Sequence, residues 1–326
     1  MTTIEQSDAG SAPASGLTRA RRGVGNAGGG PGPTVRRRHT RRGGLTLLAL
    51  ALPSLVLVVL LTAYPLVYAA FQSLHKGTLI SDGPFVGFQN YTNQLSSDAF
   101  WHSAGFTLLF TIVGVFGSWI VGLVFALVLR ARLPASSVFK VLLLLPWVVP
   151  VVVTATAWNW LVATPQSPLP VLAKALGFGD VLFLADPTLA IILVCLFKVW
   201  VSFPFMMMMS SSALAAVDTN VYEAARVDGA NRWQTFRHIS MPIIARSTYI
   251  SWILMTIFCV NDFPTIFLLT GGGPANATMS LVVMAYTTTF QSFQPGPGVA
   301  IAFMMTLVLV VISTVLYRQI RKVDIE

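Results

Sequence analysis

Six long apolar stretches, separated by polar segments, dominate the pattern of hydrophobic positions along the chain. A helix needs roughly 20 apolar residues to cross the hydrocarbon core of a bilayer. In lipid the backbone must satisfy its own hydrogen bonds, and apolar runs of this length do so as helices. The pattern therefore predicts an all-α membrane protein with six transmembrane helices. The predicted spans are Leu45–Phe71, Ala104–Leu129, Val138–Leu161, Thr188–Met209, Thr248–Leu269 and Val299–Tyr317.

Basic residues lie in alternate segments between these spans. They are concentrated before the first span, between the second and third, between the fourth and fifth, and after the sixth. Membrane proteins carry their excess of Lys and Arg on the cytoplasmic side. We therefore expect both termini in the cytoplasm. Residues 72–103 and 163–187 are then external loops, the second with at most one short helix. The net charge of +9 is a topology signal and not a nucleic-acid surface.

Composition agrees with a membrane protein. Only 10% of the residues are charged, whereas a soluble domain has about 25%. The hydrophobic fraction of 55% and the mean hydropathy of +0.72 also exclude a disordered chain. Cys195 and Cys259 lie in apolar stretches without a CxxC pattern, so neither a disulfide nor a zinc site is expected.

Residues 1–43 differ from the rest of the chain. They are rich in Gly, Ser, Ala, Pro and Arg and show no apolar periodicity. This composition predicts a disordered cytoplasmic tail that ends in a polybasic lipid anchor. The membrane domain is predicted to occupy residues 44–326.

The polar segment 216–246, between the fourth and fifth spans, has the signals of a short helix. Asp218 or Thr219 can cap this helix, and we expect Glu223 in its first turn, where a carboxylate suits the helix dipole. Gly229 then ends the helix as a left-handed residue.

A second helix, Arg232–Ser240, is predicted to run to Pro242, where the chain turns toward the fifth span. The result is a helix–turn–helix on the cytoplasmic surface. Composition alone leaves open whether it is a docking element or a simple connection.

The spacing of this segment resembles the EAA loop of ABC importer permeases, EAA-x3-G-x9-I-x-L-P. Glu223, Ala224 and Ala225 begin the pattern, Gly229 and Ile239 follow at its spacing, and Met241-Pro242 ends it with Met in place of Leu. FVGFQNY after the first span, WVSFPF in the fourth and LTGGGP after the fifth extend the resemblance from about residue 45 to the C-terminus. Together they resemble the first permease subunit of carbohydrate-uptake importers of the maltose, glycerol-phosphate and trehalose type. Among these, the actinobacterial trehalose permeases are the most similar.

The resemblance implies the six-helix fold of a type I importer permease in the bacterial plasma membrane. Its implied partners are a second permease subunit, a cytoplasmic ATPase dimer that holds ATP and Mg²⁺, an extracytoplasmic sugar-binding protein and the lipid bilayer. The chain itself binds no cofactor, and its cargo is a sugar, with a disaccharide such as trehalose expected. The EAA segment becomes the coupling segment that docks on the ATPase. Its implied docking residues are Glu223, Ala224, Ala225, Asp228, Gly229, Ile239 and Pro242.

Motifs for chemistry on the chain itself are missing from the sequence. It contains no GxxxxGK[ST], HExxH or G-x-S-x-G pattern, and its four histidines are scattered. We therefore expect a protein that is not an enzyme and holds no metal.

Two ionisable residues, Lys198 and Asp262, lie within the predicted fourth and fifth spans. Such residues usually face the bundle interior or a water-filled cavity. At 1.5 Å per residue they lie at depths of roughly 15 Å and roughly 10 Å from the outer face, on consecutive spans. They either pair with each other or are satisfied separately by backbone or water.

Sugar sites combine aromatic faces with amides, hydroxyls or charges. The two spans supply both kinds of group, and the resemblance implies that the cavity lies among them. The predicted substrate-pathway residues are Lys198, Trp200, Ser202, Phe205, Asn261 and Asp262. The alternative function is an ion-coupled secondary transporter that uses Lys198 and Asp262.

Overall fold

The computed structural model describes residues 41–81, 83–130 and 136–323, and the chain divides into two units between Val58 and Val59. The first unit contains the helix Arg41–Val58. Arg41, Arg42 and Gly43 of the predicted tail already belong to this helix, and the remainder of the tail lies outside the described residues. Apart from an isolated bridge between His75 and Phe85, the described residues form only helices and loops.

Five helices of the described chain are long and apolar enough to cross a membrane, and a bent pair of helices can form a sixth span. This agrees with the predicted all-α fold. The five helices are Ala49–Ser73, Asp98–Arg130, Pro187–Ala215, Arg232–Val260 and Pro295–Ile320, and the bent pair is Ser136–Val148 with Val151–Val162. Short helices between them are Gln89–Leu95, Pro168–Ala175, Thr219–Val227, Phe263–Leu269 and Leu281–Tyr286.

The third predicted span is a bent pair of helices and not one straight helix. Ser136–Val148 and Val151–Val162 meet at 90°. Pro150 has no N–H to continue the first helix, and its ring disfavours helical geometry at Val149. Pro150 instead starts the second helix, with φ −53° and ψ 133°.

The fifth predicted span also differs at both ends. Its helix begins at Arg232, and the chain does not turn at Pro242. A π-helical stretch, Phe236–Ser240, precedes the proline and lets the helix continue past its missing N–H. The helix then ends at Val260, and the separate helix Phe263–Leu269 follows. The predicted continuous span to Leu269 is therefore broken at residues 261–262.

The helices Asp98–Arg130 and Pro187–Ala215 pack closely because glycine lies between them. A Cβ on Gly122 would approach the backbone nitrogen of Met207 to 2.6 Å and the carbonyl oxygen of Phe203 to 2.8 Å. Small residues allow this kind of helix contact in membranes. The main apolar core lies next to this contact and includes the fully buried side chains of Phe110, Phe197 and Met206.

Candidate functional site

Lys198 and Asp262 form a buried ion pair. The Lys198 Nζ lies 2.7 Å from the Asp262 Oδ2, and the two side chains are 6% and 9% exposed. The second carboxylate oxygen, Oδ1, accepts a hydrogen bond of 3.1 Å from the backbone N–H of Thr265. Asp262 is therefore also the N-cap of the helix Phe263–Leu269. One carboxylate neutralises the ammonium and stabilises the helix that follows the break.

The helix Asp98–Arg130 covers this ion pair. The Lys198 ammonium lies 5.9 Å from the centre of the Phe110 ring. A Cβ on Gly114 would lie 3.1 Å from the Lys198 Cγ and 2.7 Å from the Cys259 Sγ. Three helices thus meet around the pair. The helix Asp98–Arg130 can approach Lys198 and Cys259 this closely only because residue 114 is glycine.

Phe205 belongs to a partly exposed aromatic cluster with Trp147 and Phe258. The Trp147 and Phe205 rings stack with centroids 5.2 Å apart and an angle of 29°, and Phe258 lies 5.9 Å from each. Trp147 is 37% and Phe258 is 45% exposed. Exposed aromatic faces of this kind suit the apolar faces of a sugar. Trp147 and Phe258 were not predicted as pathway residues, although both are aromatic residues within predicted spans.

The other predicted pathway residues lie in different environments. Asn261 is exposed at the break in the fifth span, where its amide donates to the carbonyl of Ile257 at 2.9 Å. Trp200 is half-buried against Trp158, with ring centroids 5.4 Å apart. Ser202 is fully buried, and its hydroxyl has no hydrogen-bond partner among the described residues. The structure therefore brings Lys198 and Asp262 together, leaves Trp200 partly exposed and separates Ser202 from the exposed surface.

Two open cavities, of about 410 and 430 Å³, lie elsewhere. Both are lined by the polar turn that contains Thr78 and Ser81 and by residues near the start of the last long helix, such as Pro295 and Pro297. None of the predicted pathway residues lines either of these two cavities.

The coupling segment contains the predicted short helix, Thr219–Val227. Asp218 is its N-cap and accepts from the backbone N–H of Asn220 at 2.9 Å. Glu223 lies beyond the first turn, so its predicted interaction with the helix start is wrong. Gly229 has φ +79° and follows the C-cap, as predicted. Its N–H donates to Arg226 O at 3.1 Å, and the N–H of Ala230 donates to Ala225 O at 2.9 Å, which defines a Schellman ending.

Most of the predicted docking residues are accessible. Glu223, Ala224, Asp228, Gly229 and Pro242 are exposed, Ile239 is half-buried, and Ala225 is only 5% exposed. Two apolar residues of the same segment, Val227 and Trp233, are 87% and 65% exposed. Val227 and Trp233 were not predicted as docking residues, although they are large apolar residues in an otherwise polar segment. The segment thus presents a mixed polar and apolar surface, which is typical of a protein contact.

Comparison with known proteins gives matches over most of the chain. A family model described as a binding-protein-dependent transport system inner membrane component matches residues 118–324. The trehalose/maltose transport system permease protein MalF of Thermococcus litoralis is 34% identical over 82% of this chain and 91% of its own length. The trehalose transport system permease protein SugA of Mycobacterium tuberculosis is 30% identical over 78% of this chain and 82% of its own.

A solved structure has the same fold. It is a bacterial ABC transporter involved in the import of the acidic polysaccharide alginate, one chain of which matches with a TM-score of 0.76 and 18% identity. The match covers 86% of this chain and 96% of that chain. A second structure of the alginate transporter is a complex with an alginate pentasaccharide-bound periplasmic protein.

Proposed function

Because the chain belongs to the family of binding-protein-dependent transport system inner membrane components, we propose that it is a permease subunit through which an ABC importer moves a sugar into the cytoplasm. The family match over residues 118–324 is the observation that carries this proposal. Membership in a family of transport components, with several apolar helices, makes the chain a multi-pass inner-membrane permease and not an enzyme. The family resemblance stated from the sequence is thereby confirmed.

The proposed cargo is a disaccharide, with trehalose as the first candidate. Two relatives that match most of the chain are named as trehalose or trehalose/maltose permeases. The exposed aromatic cluster of Trp147, Phe205 and Phe258 supports a sugar because aromatic faces cover its C–H surfaces. Asn261 lies three residues after Phe258 and supplies an exposed amide for hydroxyl groups.

Coupling to a separate ATPase is the second part of the proposal. The exposed residues Glu223 and Ala224 lie on a short helix with a defined start and end, and the exposed residues Asp228 and Gly229 form its C-terminal cap. The adjoining helix Arg232–Val260 leads without a gap to the break next to Asp262. Such an arrangement suits the transfer of a rigid-body movement from a docked protein to the transmembrane helices.

The proposed assembly contains this chain, a second permease, a cytoplasmic ATPase dimer and an extracytoplasmic sugar-binding protein. The family name and the periplasmic protein in the alginate transporter complex support the binding protein. ATP and Mg²⁺ are proposed to bind the ATPase and not this chain. Both termini are proposed to lie in the cytoplasm, as the distribution of basic residues indicates.

The ion-coupled alternative rests on the buried pair of Lys198 and Asp262. These two groups neutralise each other in the structure, which is the arrangement expected of a structural or gating contact. In a proton- or cation-coupled carrier, Lys198 or Asp262 would have to release the other residue and bind the transported proton or cation during the cycle. The two functions therefore predict different energy sources for uptake.

We expect uptake of labelled trehalose by cells that contain the complete transporter to stop when ATP is depleted. A protonophore added at constant ATP should leave uptake nearly unchanged. The opposite pattern, in which the protonophore stops uptake and ATP depletion does not, would support the ion-coupled carrier. Excess unlabelled maltose or diacetylchitobiose, added as a competitor, tests the choice of sugar.

The Gly229→Asp variant is expected to lose the ATPase. An affinity pull-down from detergent-solubilised native membranes should recover an ATPase and a second permease with the wild type. Aspartate tolerates the left-handed backbone at residue 229 better than most residues, so the helix end is retained while a charge enters the docking surface. ATPase recovery should fall at least about tenfold, the effect of roughly 1.4 kcal/mol of lost binding energy.

Gly177→Asp is the matched control. Gly177 has φ +88° and ends the helix Pro168–Ala175 with the same two backbone hydrogen bonds, from Gly177 to Lys174 O and from Phe178 to Ala173 O. As at Gly229, a Cβ added at Gly177 would meet no heavy atom within 4 Å. Gly177 lies in the predicted external loop, so its variant should keep the ATPase. Equal recovery of the ATPase with both variants would contradict the docking role of Gly229.

A further inference from the structure

Tyr222, on the helix Thr219–Val227, connects two transmembrane helices at the coupling segment. The Arg130 guanidinium carbon lies 4.1 Å from the centre of the Tyr222 ring, which is a cation–π contact. On its other side, the Tyr222 hydroxyl lies 3.2 Å from the Ser240 hydroxyl, and Ser240 is only 4% exposed. Arg130 is the last residue of the helix Asp98–Arg130, and Ser240 belongs to the long helix Arg232–Val260.

The contact with Arg130 is not a consequence of chain connectivity. The helices Pro187–Ala215 and Arg232–Val260 flank the short helix Thr219–Val227 in sequence and are joined to it by short connections. The helix Asp98–Arg130 is remote in sequence and reaches the segment through Arg130, beside the apolar contacts of Leu129, Val217 and Tyr222. The short helix Thr219–Val227 therefore contacts a third transmembrane helix.

That third helix continues to the buried ion pair. Gly122 packs against the backbone of Met207 and Phe203, so the two helices are in direct backbone contact. Further along, Gly114 packs against Lys198 and Cys259. One helix, which includes a π-helical stretch at Val113–Gly117, thus extends from the Arg130 contact to Gly114, where it covers the Lys198–Asp262 pair. Spatial continuity of this kind becomes coupling only if a perturbation at one end changes the response at the other.

We propose that Arg130 and Tyr222 are positioning residues that link the short helix Thr219–Val227 to the helix Asp98–Arg130, so that movement of a docked ATPase reaches the buried ion pair through the helix Asp98–Arg130 as well. This inference rests on the proposed function, because it assumes that an ATPase docks on the coupling segment. It adds a route that the resemblance to the EAA loop does not include.

The experiment measures sugar imported per ATP hydrolysed, in vesicles that contain the complete transporter. Arg130→Gln removes the cation, and Tyr222→Leu removes the ring. Each variant is expected to lower the ratio by roughly two- to fivefold, the factor that a partly exposed cation–π contact supplies. The ATPase should still be recovered in the pull-down. The double variant should lose no more than Tyr222→Leu alone, because Tyr222→Leu already removes the contact with Arg130 together with the contact to Ser240.

Two controls separate this role from a general effect of charge. Arg318→Gln removes an exposed arginine from the last long helix and should leave the ratio unchanged. Arg130→Lys keeps the positive charge at the helix end but not the planar guanidinium, so an intermediate ratio is expected.

The outcomes are distinct. Unchanged ratios in Arg130→Gln and Tyr222→Leu, with the ATPase recovered, would overturn the inference alone. Additive losses in the double variant would also overturn it, because they would show that the two residues act separately. Loss of the ATPase from both single variants would overturn it as well, because it would show a purely structural role. Failure of the wild-type chain to recover any ATPase would instead refute the proposed function.

Discussion

Asp262→Ala is expected to destabilise the folded chain by about 3–5 kcal/mol, because it leaves a buried ammonium without its partner. The Lys198 side chain is 6% exposed and its Nζ lies 2.7 Å from the carboxylate that is removed. The variant also removes the cap on the N–H of Thr265. The measurement is the free energy of unfolding of the purified chain in detergent, together with the yield of folded protein.

Companion variants separate the two roles of Asp262. Asp262→Asn keeps a capping side chain and loses the charge, so it should be less damaging than alanine. The double variant Lys198→Met/Asp262→Asn removes both charges and should recover most of the stability, since the unpaired buried charge is the costly state. The exchange Lys198→Asp/Asp262→Lys restores a pair but not the cap, and we expect partial recovery.

The exposed ion pair Lys174–Asp180 is the matched control for this prediction. Its Nζ–Oδ1 distance is 2.8 Å, nearly that of the buried pair, but its side chains are 67% and 75% exposed. Exposed pairs contribute little because water solvates and screens both charges. Asp180→Ala should therefore leave stability nearly unchanged. Equal losses for Asp180→Ala and Asp262→Ala would contradict the importance of burial.

Gly122→Ala is expected to lower stability by about 1–3 kcal/mol through overpacking. The new Cβ would approach the backbone nitrogen of Met207 and the carbonyl oxygen of Phe203. Backbone atoms cannot rotate away as a flexible side chain does, so the two helices must separate. The measurement is the thermal unfolding midpoint of the detergent-purified chain.

Gly105→Ala provides the same substitution on the same helix without the clash. A Cβ at Gly105 would meet no heavy atom within 4 Å, and the residue is exposed. Alanine forms helices more readily than glycine by about 1 kcal/mol. This variant should therefore show no loss of stability. A midpoint lowered equally by both variants would show that the close approach at Gly122 is not the cause.

The number and approximate position of the spans could be predicted from the sequence, because the cost of apolar side chains in water and of unpaired backbone in lipid decides them. The internal geometry of the spans could not. An average over a long apolar window does not register that Pro150 lacks an N–H, so the 90° bend of the third span was missed. In the fifth span a local signal was present, since Asp262 stands at the N-cap and Pro264 in the first turn of a new helix.

The candidate site was predictable in part for a similar reason. A charge at membrane depth is costly, which drew attention to Lys198 and Asp262, and the structure joins them. Aromatic residues carry no such signal, because a ring serves equally well in a core or on a pathway wall. Trp200 was expected on the pathway and packs on Trp158, whereas Trp147 and Phe258 were not singled out and lie partly exposed beside Phe205.

The helix Arg232–Val260 is long enough for a small rotation at one end to cause a large displacement at the other. Its 29 residues extend for about 43 Å, from the capping box at Asn231 to the break beside Asp262. A tilt of about 5° around the end at Arg232 would displace the other end by about 4 Å over that length. If it is directed away from Lys198, this displacement lengthens the 2.7 Å separation beyond the roughly 4 Å within which an ion pair forms. A rotation of a few degrees at one surface of the protein is therefore large enough to open an ion pair deep within the helix bundle.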